Sequence, residues 1–218
     1  MEAILRVMPL HAITEVYGTE GLSRRLDLEL PPTGRAAVAS AARWAAELHR
    51  DQRRTREPYL NHPLRVTIRM LSRYRVTDPD VLVAGLLHDA VEDQPVTVAD
   101  IASRHNERAA RLVAAVTVPP RPPGADRVDH YVTHLAGPLA GEPWARVIKL
   151  SDFTDNGVGL IHSTGPLVRR SARKYEAALP ILRDLLDRAD TPLAPDVKTH
   201  IHRQLDLARE RFTAILTG

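Results

Sequence analysis

The chain has 218 residues, enough for one sizeable core, and its 30 Lys and Arg against 27 Asp and Glu leave a net charge of +3, too mild to indicate a nucleic-acid binder by itself. The absence of cysteine excludes disulfides, thiolate metal ligands and thiol nucleophiles; there is no basic leader and no uninterrupted apolar run of about 18 residues, so a cytoplasmic protein without a membrane segment is expected. Aromatic residues are only 4% and strand-type alternation is scarce, so an all-α fold is expected, with the 17 prolines punctuating helices.

Residues 1–34 read as an N-terminal extension of unknown role, in which residues 1–17 form a short helix broken at Pro9 and residues 22–30 alternate weakly ahead of Pro31-Pro32-Thr33-Gly34. Residues 35–218 read as one domain. Thr33 is suited to cap a first strong helix over 35–50, with Val38, Ala42, Ala45 and Leu48 on its buried side. A basic loop follows, R-D-Q-R-R-T-R-E-P-Y-L-N-H-P, and Pro63 suits the first turn of a helix over 63–74. His62 therefore stands at a helix entrance, from which its ring can point back into a site.

Asp78-Pro79 opens the next helix by the same device, and its sequence, V-L-V-A-G-L-L-H-D-A-V-E-D-Q-P, is apolar on all sides until it delivers His88, Asp89, Glu92 and Asp93. Pro95 disfavours helical geometry at Gln94, so this helix is expected to run unbroken to that point, with three acids at its C-terminal end, where the helix dipole prefers cations. Buried charges are paired or metal-bound. A metal ion on His88 and Asp89 would offset the cost, and at helical spacing His88 with Glu92 and Asp89 with Asp93 form two stripes about 100° apart, one able to face an ion and the other a substrate.

Thr97 and Asp100 read as a capping box for a short helix ending near Arg104, and Asn106 as the cap of another reaching about Val116. P-P-R-P-P-G at 119–124 is a connector that no helix crosses. A helix over 126–136 carries His130 and His134 at i, i+4 spacing, read as an exposed face because nearby prolines shorten the segment. Pro143 opens a helix with Val147, Ile148 and Leu150 buried, which delivers Asp152, Asp155 and Asn156; long amphipathic helices over 166–188, with Pro180 kinking or dividing it, and 195–216 complete the chain. The clusters Arg50, Arg53, Arg54, Arg56 and Arg169, Arg170, Arg173, Lys174 suit an anionic small ligand, although a solvated helix face explains either one equally well.

A shell of His62, His88, Asp89 and Asp152, two imidazoles and two carboxylates, suits manganese, iron or zinc better than calcium. With Glu92 or Asp93 placing a water or moving its proton, the expected reaction is phosphoester hydrolysis. At H-R-D-Q-R-R-T-R-E-P-Y-L-N-H-P (49–63), G-L-L-H-D-A-V-E-D (85–93) and V-I-K-L-S-D-F-T-D-N (147–156) the chain resembles the HD-domain phosphohydrolases, and more closely the small alarmone hydrolases of the RelA/SpoT-homologue group, over about residues 35–190.

The resemblance implies the helical HD-domain fold and manganese-dependent removal of the 3′-pyrophosphate of guanosine tetra- or pentaphosphate, a small-molecule nucleotide substrate. It places His62, His88, Asp89 and Asp152 on the metal and makes Glu92 and Asp93 the catalytic pair. It puts Arg53, Arg54 and Asn156 on the substrate and, more loosely, Arg170, Lys174 and Tyr175. Two departures fall on substrate contacts and spare the metal shell: Arg53-Arg54-Thr55-Arg56 replaces the family's Arg-Lys, small residue and Gly, and Gly157-Val158 replaces Met or Leu followed by Arg. An adenosine alarmone therefore stays open. So does an antitoxin role toward a cognate small alarmone synthetase, with a pyrophosphorylated tRNA end as a further substrate. The rival readings are a general HD nucleotidase or NADPH 2′-phosphatase, and a non-catalytic alarmone-binding regulator, which would not need the Glu92–Asp93 pair.

Overall fold

The structure, a computed structural model, describes residues 2–54, 56–163, 165 and 167–218. Thr55 of the basic loop and Pro166, inside the expected long helix, lie outside the described residues. The fold is all-α, with no β-strand among the described residues, and no helix among them is long and apolar enough to cross a membrane. The chain divides into two compact units, residues 1–114 and 115–218.

The first unit contains α1 (Glu2–Val7), α2 (Leu10–Glu29), α3 (Arg35–Leu48), α4 (Asn61–Ser72), α5 (Pro79–Leu87), α6 (Ala90–Asp93) and α7 (Val98–Arg104), and α8 (Glu107–Val116) leads out of it. Its centre is α5. Asp78 caps this helix by accepting from the Asp80 N–H, Pro79 takes the first turn, and every residue from Val81 to Leu87 is buried. Such burial is worth about 1.5–3 kcal/mol for each Val or Leu side chain. On one side α5 packs against α4, and Gly85 lets the two close up: a Cβ there would lie 2.2 Å from Met70 Cε. On another side it packs against α3.

Three local expectations are corrected here. Helix α3 begins from Gly34 and not from Thr33: residue 34 takes φ 75° and lies so close to Pro79 that a Cβ would sit 2.1 Å from Pro79 Cγ. The buried face of α3 is Val38, Ala41, Trp44 and Ala45, with Ala42 and Leu48 only half-buried. Residues 22–30 are helical: α2 runs on from Pro9, bends at Gly18 (φ 65°), and buries Ile13, Leu22 and Leu26 where it packs along α4. Arg25 of α2 is itself buried and donates to the carbonyls of Arg6 and Met8, which ties α1 down.

The second unit contains α9 (Arg127–Ala136), α10 (Pro138–Gly141), α11 (Pro143–Asn156), a 3₁₀ turn (Val158–His162), α12 (Leu167–Asp187) and α13 (Pro195–Thr217). Asp126 caps α9 through the N–H groups of Val128 and Asp129, and the expected caps of α7 and α8, Thr97 with Asp100 and Asn106, are formed too. Pro180 sits on an exposed stretch of α12, which continues through it and packs against both α9 and α13. The α11 helix carries the acids of this unit, and its start is fixed by Arg146. That fully buried guanidinium donates to the carbonyls of Leu139 and Ala140, to Thr191 Oγ1 and to both carboxylate oxygens of Asp190.

Candidate metal centre and active site

The apolar helix α5 does not run on through the acids. It ends at Leu87, and α6 restarts at Ala90, so His88 and Asp89 occupy the break, Asp89 with φ −96° and ψ −3°. At the break, His88 Nδ1 donates to the Gly85 carbonyl at 2.8 Å. A carbonyl can only accept, so Nδ1 carries the proton, and neutral His88 presents a lone pair at Nε2.

That nitrogen faces two further donors. His62, brought in by the first turn of α4 and completely buried, has its Nε2 3.2 Å from His88 Nε2, and Asp89 Oδ2 lies 3.3 Å from His88 Nε2 and 3.4 Å from His62 Nε2. Donors bound about 2.0–2.2 Å from one ion sit about 3–3.5 Å apart, and the three have that spacing. This is the single such group of His, Asp and Glu among the described residues. Two imidazoles and one carboxylate on one face match the donor set of divalent transition ions, with room left for other ligands.

Around this triad the loop 49–60 is folded back on itself. Arg53 and Pro58 form an antiparallel bridge, the Arg54 N–H donates to the Glu57 carbonyl and the Tyr59 N–H to the Gln52 carbonyl at 3.0 Å. Tyr59 uses this position to donate its hydroxyl to Asp89 Oδ2 at 2.6 Å. Burial, together with the carboxylates of Asp89 and Asp93, holds the phenol well above its usual range, so it stays protonated and donating. Its ring stacks on His49 at 4.8 Å, meets His62 edge-on at 5.9 Å, and carries Arg54 over its face at 5.6 Å.

Below the loop, Glu57 accepts from Asn61 Nδ2 at 2.9 Å and receives both guanidinium nitrogens of Arg65, while Asn61 Oδ1 receives the Thr19 hydroxyl of α2 at 2.6 Å. The position of His62 thus rests partly on α2, a link the sequence reading did not contain.

Glu92 and Asp93 lie on α6, exposed, one turn beyond the His-Asp pair, and Asp93 Oδ2 accepts from Gln52 Nε2 at 2.9 Å. Of the expected substrate residues in this unit, Arg53 is exposed at the hairpin and Arg54 is half-buried against Tyr59. In the second unit Asp152 is buried on α11, bound at Oδ2 by Lys149 Nζ (2.8 Å) and at Oδ1 by Asn156 Nδ2 (2.5 Å). Lys174 stands over the rings of both Tyr131 (4.6 Å) and Tyr175 (4.3 Å), and Tyr175 packs with Phe153 and Phe212; Arg170, one turn earlier on α12, is exposed. His130 and His134, expected on an exposed face, are half-buried instead: His130 Nε2 donates to the Pro119 carbonyl, and burial lowers the affinity of His134 for a proton.

The sequence alone does not place Gln52, His49 and Gln94, which interlock beside Asp93, or the Tyr59 hydroxyl on Asp89. A neutral amide or ring in a basic loop gives no signal of its own; only the hairpin pairing brings it to an acid 30 to 40 positions away.

A histidine and a His-Asp pair converging at a helix break, in an all-helical chain, define a metal-binding centre of the HD class, and an HD domain is matched over residues 41–120. Guanosine-3′,5′-bis(diphosphate) 3′-pyrophosphohydrolase MESH1 of Danio rerio is 35% identical over 155 residues, 69% of this chain and 84% of the relative. The Mus musculus protein of the same name is also 35% identical, over 69% of this chain and 85% of its own length. A guanosine-3′,5′-bis(diphosphate) 3′-pyrophosphohydrolase of Aquifex aeolicus is 35% identical over 55% of this chain, which is 17% of that larger protein. Among solved structures, a metazoan SpoT orthologue that hydrolyses ppGpp superposes with a TM-score of 0.62 at 24% identity, over 81% of this chain and 98% of that one, a likeness of fold. The chain belongs to the HD-domain family of the MESH1 proteins.

Proposed function

We propose that this chain removes the 3′-pyrophosphate of guanosine 3′,5′-bis(diphosphate) and its pentaphosphate counterpart, releasing pyrophosphate and the guanosine 5′-di- or triphosphate. The observation that carries this reading is the convergence of His62, His88 and Asp89 within 3.4 Å of one another, with two exposed carboxylates one turn further on, in a chain of this family. His62, His88 and Asp89 would hold a divalent ion, and we place Asp152 on it as the fourth protein ligand. The support for Asp152 is its burial and its orientation by Lys149 and Asn156. When bound, the ion, manganese in this reading, lowers the pKa of water and neutralises developing phosphoryl charge.

The remaining work falls to side chains. Glu92 and Asp93 orient the attacking water and take up its proton; the water oxygen adds at the phosphorus bonded to the 3′ oxygen, the bond between that phosphorus and the 3′ oxygen breaks, and the pair returns the proton to the departing oxygen, which leaves as the hydroxyl. Arg53 and Arg54 at the hairpin bind phosphate, and Asn156, Arg170, Lys174 and Tyr175 contact the nucleotide. The cysteine-free composition fits a cytoplasmic enzyme.

The test is to strip the protein of metal, restore manganese, and incubate it with guanosine and adenosine 3′-pyrophosphate nucleotides. Pyrophosphate plus the matching guanosine 5′-phosphate is expected. Orthophosphate release from NADPH, or turnover of pyrophosphorylated tRNA alone, would replace this reading. In the same assay Glu92→Gln is expected to keep its metal and lose about 10²-fold in rate, the scale of general acid–base assistance.

A further inference from the structure

We infer that Gln52 is a positioning residue for the Asp93 carboxylate, its amide locked in one orientation by His49 and Gln94. The inference rests on the reading of Asp93 as a catalytic acid–base group and names what holds that group in place.

Three hydrogen bonds fix the amide. Gln52 Oε1 lies 2.6 Å from His49 Nδ1 and 2.7 Å from Gln94 Nε2, and Gln52 Nε2 lies 2.9 Å from Asp93 Oδ2. An amide oxygen only accepts, so the His49 Nδ1 carries its proton and the Gln94 NH₂ donates. Two donors therefore fill the Gln52 oxygen. A flipped amide would set its own NH₂ against both of them and its oxygen against a carboxylate. The single orientation that satisfies all three partners points N–H at Asp93. His49 is buried, and burial lowers its affinity for a further proton.

The hairpin explains why Gln52 reaches Asp93 at all. Gln52 and Tyr59 are paired across it by the Tyr59 N–H to Gln52 carbonyl bond, and side chains of opposed residues emerge about 5 Å apart. Asp89 and Asp93 are four residues apart, with Asp93 N–H bonded to the Asp89 carbonyl, and side chains at that helical spacing are about 5–6 Å apart. The two spacings match: Tyr59 takes Asp89 and Gln52 takes Asp93. One hairpin thus holds both a proposed metal ligand and a proposed proton acceptor.

The experiment compares wild type, Gln52→Met, Gln52→Glu and Asp93→Asn with manganese and guanosine 3′,5′-bis(diphosphate). It measures kcat and KM separately, with bound manganese and thermal midpoint recorded for each protein. Gln52→Met removes the donor at similar volume, and Gln52→Glu replaces it with a repelling charge. Both are expected to lose about 10-fold or more in kcat, Gln52→Glu the more, with KM within a factor of two and manganese content unchanged. If Gln52→Glu does not fold, Gln52→Met carries the test. Wild-type kcat in Gln52→Met beside an inactive Asp93→Asn overturns the positioning role alone. A kcat loss that tracks manganese loss overturns it too, by moving Gln52 to the metal shell. Near-normal turnover in Asp93→Asn instead removes the catalytic reading of Asp93 on which the inference stands.

Discussion

At the scale of single residues, the centre is built from groups with only one hydrogen-bonding option. The Gly85 carbonyl decides which nitrogen of His88 is protonated, and so which one is available to an ion. The Tyr59 hydroxyl, kept protonated by burial and by the acids beside it, decides how the Asp89 carboxylate is turned. Partners of this kind typically contribute 10- to 100-fold in metal affinity. Tyr59→Phe is therefore expected to weaken manganese binding by about 10-fold or more while leaving the fold intact, whereas Asp89→Ala is expected to retain no manganese after dialysis. Competition against a metallochromic chelator distinguishes the two. Equal affinity in Tyr59→Phe and wild type would mean that the hydroxyl only packs.

Among the elements, those whose sequence carries one strong signal were legible. The uniformly apolar α5, the Asp78-Pro79 start, the Thr97/Asp100 box and the Asn106 cap all came from residue types whose preference is local. The break at His88-Asp89 was not, because nothing in the hydrophobic pattern marks it. The helix in residues 22–30 was missed for a different reason: its apolar residues make sense only against α4, the tertiary surface they cover. Arg146 belongs to the same category, an arginine in an apolar run whose partners sit in a later loop. Replacing it by Met leaves the Leu139 and Ala140 carbonyls without their donor. Arg146→Met is expected to cost about 2–4 kcal/mol, read as a lower urea midpoint, and a change under about 0.5 kcal/mol would show that water replaces the guanidinium.

The molecule as a whole carries an acid sensitivity separate from its chemistry. Burial lowers the proton affinity of His49, His105 and His134 below the usual histidine value of about 6.5. Below that pH the unfolded chain takes up protons that the folded chain refuses. Their stabilisation is therefore present above about pH 6.5 and is lost as pH falls toward the lowered folded values. Asp78, held below the usual carboxylate range by Arg108, acts in a lower window, below about pH 4, so the two effects separate. For metal-free protein the urea midpoint is expected to fall between pH 7.5 and pH 5.5; a constant or rising midpoint would contradict this.

The hairpin over residues 49–60 has an implication for how such proteins diverge. Its two legs are each tied down, Gln52 to Asp93 and Tyr59 to Asp89, while its tip carries Arg53 and Arg56 into solvent. The departures from the family pattern in this loop fall at that tip. Substitution at the tip can therefore resize or recharge it while the anchored legs keep Gln52 on Asp93 and Tyr59 on Asp89.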